Sequence, residues 1–293
     1  MIRRVYHLFF ISFFLLFLAT SCEKFSGDQT VPAYLSIDSI YLTTNYDLQG
    51  SSSQKITDAW VDVDNEFIGA FELPARFPVL KQGKHKVTIY PGIKKNGIAT
   101  TRCGYNFYSP VSRDMMLTPD STTRIGVVKT TYQSSTVFTM MEDFDQAGLL
   151  LDTVNGSGAY FQRTETGSAQ TFEGNHSGLV VLDSLHSNFE VQSHNKFPIP
   201  SASVFLEMNF NITNTLRVGV ITYGTSSLYE TPIMTLNPTN GVWKKIYIDL
   251  TTSLNAYTGM TAYRLHFLAF KDNGMEQSSI LLDNIKVVTR GSK

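Results

Sequence analysis

Cysteine is nearly missing from this chain of 293 residues: only Cys22 and Cys103 occur. A disulfide framework is therefore excluded, and if Cys22 is used for other chemistry no intramolecular bridge is left. Clustered positive charge is missing as well. Lys and Arg number 24 against 25 Asp and Glu, with no basic block anywhere, so nothing serves the counterion displacement on which nucleic-acid binding depends. Sustained 3.6-residue apolar periodicity is absent after residue 30, which excludes a helical bundle. Catalytic signatures are also lacking. There is no His-Glu-x-x-His, Gly-x-Ser-x-Gly or Cys-x-x-Cys, and no phosphate-cradling glycine loop. His176, His186 and His194 have no metal-ligand spacing, Cys103 has no adjacent base, and the acidic residues are dispersed. The expectation is a protein that is not an enzyme.

One long apolar run is present, at the N-terminus. Arg3-Arg4 precedes Leu8 to Leu18, and the run ends in the small residues Ala19-Thr20-Ser21 directly before Cys22. This is the three-part layout of a secretory leader, and the run is short for a bilayer span of roughly 20 apolar residues. Small residues followed at once by cysteine resemble a lipobox, with Ala19 where Leu is usual and Leu18 one place further back. The resemblance implies a signal peptide over 1–21, cleavage before Cys22 and lipid on its sulfur. It places the chain on the outer membrane as a lipid-anchored protein. Glu23 to Thr30 is polar with no apolar period, so 22–31 reads as a lipidated tether.

The remainder is expected to be all-β. Thr, Ser, Val, Ile, Tyr and Phe dominate, and turn pairs recur at Pro91-Gly92, Asn96-Gly97, Asn155-Gly156, Asn240-Gly241 and Asn273-Gly274. In the first half Val61 and Val63 alternate with Asp62 and Asp64, and Val87 and Ile89 with Lys86 and Thr88. Further strands are predicted at 34–42, 77–80, 105–108, 115–117 and 124–129, making a sandwich of about seven strands. The series Val61-x-Val63-Asp64, Ile68-Gly69, Leu73-Pro74, Val79-Leu80 and Gly83-x-His85-x-Val87-x-Ile89-x-Pro91-Gly92 resembles the PEGA-type, immunoglobulin-like modules of envelope proteins. It is similar also to the N-terminal half of surface lipoproteins in Bacteroidetes-type bacteria. That resemblance implies an immunoglobulin-like β-sandwich over 32–130.

The short polar run Thr131–Thr136 is expected to be a boundary. Beyond it, strands are predicted at 203–211, 216–223, 242–250, 263–270 and 280–288. Val204, Leu206, Met208 and Phe210 share one face, with Glu207 and Asn209 opposite. The closing series Trp243 to Leu250, then Ile280-Leu281-Leu282-Asp283-Asn284-Ile285-Lys286-Val287-Val288, resembles the last strands of carbohydrate-binding-module jelly rolls. It implies a jelly roll over 137–289.

Strict alternation places Asp283 on one face with Leu281, Ile285 and Val287, which would be the core face. A carboxylate there needs a partner. Glu142 and Asp143 fall on the neighbouring strand of the resembled fold, so a structural calcium held by Glu142, Asp143 and Asp283 is one expectation. An Asp283 that binds backbone amides at a bulge is the other. For ligand binding, Tyr223 and Trp243 are the leading aromatic candidates, with Tyr160, Tyr229 and Tyr257 behind them. Short Asp-Ser/Thr-apolar runs at Asp38, Asp120, Asp152 and Asp183 resemble O-glycosylation sites of Bacteroidetes-type envelopes. Taken together, the residues lead to a non-catalytic, lipid-anchored envelope protein that is a binding or scaffold component, with the membrane and a glycan as partners. The alternative is an accessory subunit of an outer-membrane protein complex with no sugar ligand.

Overall fold

A computed structural model describes residues 31–291; the leader over 1–21, Cys22 and the tether up to residue 30 lie outside the described residues. The chain is all-β, a two-sheet sandwich followed by a jelly-roll sandwich. Among the described residues no helix is long and apolar enough to cross a membrane.

The first half runs β1 (Ala33–Leu42), a one-turn helix α1 (Tyr46–Gln49), β2 (Asp58–Val63), β3 (Glu66–Glu72), β4 (Ala75–Val79), β5 (Gly83–Lys94), β6 (Arg102–Gly104), β7 (Val111–Leu117) and β8 (Thr122–Thr130). One sheet has the order β4-β1-β8, with β1 and β8 parallel. The other has the order β3-β2-β5, with β6 and β7 sharing the far edge of β5. Val61, Val63, Val87 and Ile89 point into the core against Leu35, Ile37 and Val128, as the alternation predicts. The strand expected at 105–108 is absent. That stretch is a turn closed by the Tyr108 amide on the Tyr105 carbonyl, and its aromatic rings point down into a contact with the second half.

The second half runs β9 (Thr136–Glu142), β10 (Leu151–Thr153), β11 (Gln162–Arg163), β12 (Gly178–Leu182), β13 (Asn188–Ser193), β14 (Phe197–Pro198), β15 (Val204–Ile212), β16 (Leu216–Gly224), β17 (Leu228–Leu236), β18 (Lys244–Asp249), a helical turn α2 (Thr251–Leu254), β19 (Met260–Phe270) and β20 (Ser278–Arg290). The sheet that holds both terminal strands has the order β11-β12-β20-β15-β18, with β9 also on β20. The facing sheet has the order β10-β13-β19-β16-β17. Leu206, Met208, Leu265, Phe267, Leu282 and Ile285 interdigitate between them.

Strict alternation fails in the middle of β20. Glu207 pairs with Lys286 while Asn209 pairs with Asp283, so β20 carries one extra residue against β15. Asn284 takes up the bulge with φ near 49°, a conformation that asparagine tolerates better than most residues. The bulge resets the phase. Ile280, Leu282, Ile285 and Val287 face the core, and Asp283 does not share a face with Ile285 and Val287. Asp283 lies on the outer face, where it is nonetheless fully buried.

That outer face has two covers: the loop that carries Glu173 and Ser177 at Asp283 and Asn284, and the first half further along β15, β18 and β20. Phe205, Tyr247 and Val288 form one aromatic cluster with Tyr105, Phe107, Tyr108 and Tyr132. Tyr105 meets Phe205 and Tyr247 edge-on, with centroids 5.4 and 4.9 Å apart. The run Thr131–Thr136 is therefore packed and not free. Tyr132 is 4% exposed, and the Gln133 amide donates to the Phe107 carbonyl. Asp249 is likewise no exposed position. Lys95 reaches it at 3.4 Å, and its amide donates to Asn96.

Candidate functional site

With the terminal-strand sheet covered, the jelly roll presents one open face, that of β10-β13-β19-β16-β17. Alternation builds it. Tyr263, Leu265, Phe267 and Ala269 of β19 point into the core, which turns Arg264 and His266 outward. On β16, Val218 and Val220 point in, which turns Ile221 and Tyr223 outward. The register then sets the rows. Gln192, His266 and Gly219 lie side by side, next come Arg264, Ile221 and Glu230, and then Ala262, Tyr223 and Leu228.

His266 is the centre of this face. Its Nε2 lies 2.9 Å from Glu190 and its Nδ1 lies 3.4 Å from Glu230. These two flanking chains leave the imidazole only 2% exposed. Arg264 donates to the Ser193 carbonyl at 2.7 Å and lies 3.9 Å from Asp152. His194 reaches Asp152 at 2.9 Å. At the far end of the face Lys196 lies 3.9 Å over the ring of Tyr223, whose hydroxyl is pushed above its usual range mainly by burial. Tyr229 pairs with the inward Thr222, so its stack with Tyr257, centroids 4.0 Å apart, lies off this face. The arrangement offers alternating donors and acceptors across three strands, closed at one end by the Tyr223 ring. Chemically, that is equipment for holding a polyhydroxylated chain.

Tyr223 and Trp243, paired in the sequence reading, do not meet. Tyr223 belongs to the open face. Trp243 precedes β18 in the other sheet, half-buried against Phe172 with centroids 5.1 Å apart, and its indole N–H has no partner. Tyr160 is exposed elsewhere, on the loop before β11. Glu190, Glu230, Arg264 and His266 were not singled out from sequence. The one signal was Arg264 and His266 alternating with four apolar residues in a single strand.

The three carboxylates expected around calcium are engaged otherwise. Glu142 accepts the Phe144 amide at 2.8 Å and the Leu150 amide at 2.6 Å, and burial holds its carboxyl above the usual range. Asp143 accepts the Tyr46 hydroxyl and the Asp145 amide, each at 3.1 Å. Asp283 accepts the Ser177 hydroxyl at 2.5 Å and the Asn284 amide at 2.6 Å. Among the described residues no three His, Cys, Asp or Glu are grouped to share an ion. Each carboxylate is satisfied by two donors of the protein itself. For Asp283 the geometry is that of an amide-binding carboxylate at a bulge.

No protein-family profile matches the sequence, and no curated protein matches it. Similar solved structures include a Clostridium thermocellum endo-1,4-beta-D-xylanase fragment with CBM22-1 and GH10 modules, complexed with xylohexaose. It shares 11% identity at a TM-score of 0.39, over 53% of this chain and 29% of that one. The chain thus spans under a third of that protein's length. The CBM22-1 xylan-binding domain from Paenibacillus barcinonensis shares 11% identity at 0.40, over 55% of this chain and 99% of that one. A structure on carbohydrate-binding modules of the β-sandwich superfamily shares 12% identity at 0.36, over 78% and 84%. At such identities, what those proteins bind is a property of those proteins.

Proposed function

We propose that the chain is a non-catalytic, lipid-anchored protein of the outer membrane that binds glycan on the open face of its jelly roll. The observation that carries the reading is the asymmetry of the two sheets. One outer face is buried under the first half, and the other is open and furnished with Gln192, Glu190, Arg264, His266, Glu230 and Tyr223 in adjacent rows. Polar groups pre-positioned by neighbouring strands bind hydroxyls at low entropic cost, and a tyrosine beside them supplies apolar area for a sugar ring. Lys196 over Tyr223 is a flexible cover that a ring can displace.

The test is a glycan array and affinity electrophoresis with the chain from residue 22 onward carrying Cys22→Ser. Tyr223→Ala and Glu230→Ala are each expected to weaken retention roughly ten-fold, the scale of one good contact. Trp243→Phe, on the other sheet, should leave retention unchanged. Retention that ignores both open-face substitutions, or no retention on any glycan, sinks the reading. The anchor has its own prediction. Cys22→Ala should remove acyl label and move the protein from the membrane fraction to the soluble one, because two or more acyl chains make a durable anchor and none makes none.

A further inference from the structure

The first sandwich has two poles. At one, β1 ends at Leu42 and β8 at Thr130, next to the aromatic contact with the jelly roll. At the other, the chain comes in at Val31 and Pro32, beside the turn between β2 and β3, the turn between β4 and β5, and the turn after β7. The Asp120 amide donates to the Pro32 carbonyl there. This second pole carries exposed large apolar side chains: Val31 at 52%, Phe67 at 57% and Leu80 at 68%. Phe67 and Leu80 rim an apolar groove of about 580 Å³ whose lining includes Pro32, Ile68 and Pro78. Met116, opposite Lys84 at the same end of its sheet, is 62% exposed. The carboxylates at this pole are paired, since Lys81 bridges Asp64 at 3.5 Å and Glu66 at 3.0 Å.

We propose that this pole is a membrane-docking surface, with Phe67 and Leu80 inserted at the headgroup–acyl boundary of a phospholipid bilayer. The inference rests on the lipid-anchor reading of Cys22. Eight residues lie between Cys22 and Val31, and such a tether reaches about 30 Å at most. The pole is therefore the part of the described protein held nearest any anchored lipid. A short tether gives an effective concentration on the millimolar scale. Two or three apolar side chains, too few to bind a bilayer from free solution, then suffice to keep the pole down. A zwitterionic surface suits this rim, because it adds no net repulsion to carboxylates that Lys81 already pairs. Docking this way holds the jelly roll at the far pole, away from the lipid, with its open face available.

The test supplies the anchor chemically, so that it does not depend on natural acylation. The chain from residue 22 onward, carrying Cys103→Ser, is coupled through Cys22 to a maleimide lipid in phosphatidylcholine vesicles. A Leu80→Trp variant and a Leu185→Trp control, the latter at an 84% exposed site of the second half, report depth by quenching from lipids brominated near the headgroup. The expected result is a blue shift and loss of the emission added at position 80, none at 185, and restoration of the position-80 emission when Phe67→Ser is added. Equal emission at 80 and 185 on brominated vesicles overturns the proposal. So does a lipid-free chain that sediments as a dimer which Phe67→Ser dissociates, because the groove then belongs to a second copy. Absence of acyl mass on the Cys22 peptide of the cell-derived protein defeats the anchor reading instead, and the coupled chain still judges the docking surface.

Discussion

Glu207→Ala is expected to lower the unfolding free energy by about 3–5 kcal/mol at neutral pH, as for other buried charges stripped of their partner. Glu207 lies on the covered face of β15 and is fully buried. Its two oxygens accept hydroxyl hydrogen bonds from Tyr105 at 2.7 Å and Tyr132 at 2.8 Å, both from the other side of the contact between the halves. Lys245 lies 3.6 Å away with its side chain 3% exposed and its ammonium otherwise unpartnered. Burial pulls the Lys245 ammonium below its usual range, and Glu207 is the main force in the other direction. Alanine leaves a buried cation and two phenols with nothing to bind, so the loss exceeds that of one hydrogen bond. Glu207→Gln keeps the acceptor but not the charge and should cost less. Urea unfolding of both variants decides the matter, and a Glu207→Ala loss under 1 kcal/mol would show that the contact between the halves does not depend on this carboxylate. Because Tyr105 and Tyr132 belong to the first half, the loss should be accompanied by earlier proteolysis around Thr131–Thr136.

Asp283→Asn is expected to stabilise the protein increasingly as pH rises. Burial pushes the Asp283 carboxyl up to about 7, against the hydrogen bonds of Ser177 and the Asn284 amide, which favour the ionised form. A carboxyl raised in the folded state contributes its full stability below the unfolded value near 3.8 and loses it as pH climbs through 7. Each pH unit in that window is worth about 1.4 kcal/mol, so the difference between wild type and Asp283→Asn should grow by on the order of 4 kcal/mol between pH 4 and pH 7.5. Lys286 works in the opposite window. Burial lowers its ammonium to about 7, so its contribution is complete above 10.5 and falls as pH drops through 7. Denaturant midpoints at pH 4.5 and 7.5 check the first statement, and parallel wild-type and variant profiles refute it. A melting temperature raised by calcium in wild type and not in Asp283→Asn would show that Glu142, Asp143 and Asp283 exchange their present donors for an ion.

Several features were legible without coordinates because they depend on local periodicity. Val204, Leu206, Met208 and Phe210 face the core of the jelly roll, and Val61, Val63, Val87 and Ile89 that of the first sandwich. A period of two needs only the pleat, and only one face of each strand had enough apolar side chains to be a core.

The covered face was not legible, since Glu207, Asn209 and Lys245 look like solvent-facing residues in the strand pattern. Glu207 is buried under Tyr105 and Tyr132, and Asp283 under the loop that carries Ser177, both distant in sequence. The bulge at Asn284 also escaped the pattern, and one extra residue moved Asp283 from the expected core face to the opposite one. The open face followed the same logic in reverse. Glu190, Glu230, Arg264 and His266 belong to three strands, and only the order β13-β19-β16-β17 makes them neighbours. By itself, then, the sequence determined the strand class and most of the inward faces, which are short-range properties. Which outer face is sealed and which is left open depended on tertiary packing, because burial of polar residues is decided by what closes over them and not by their own spacing.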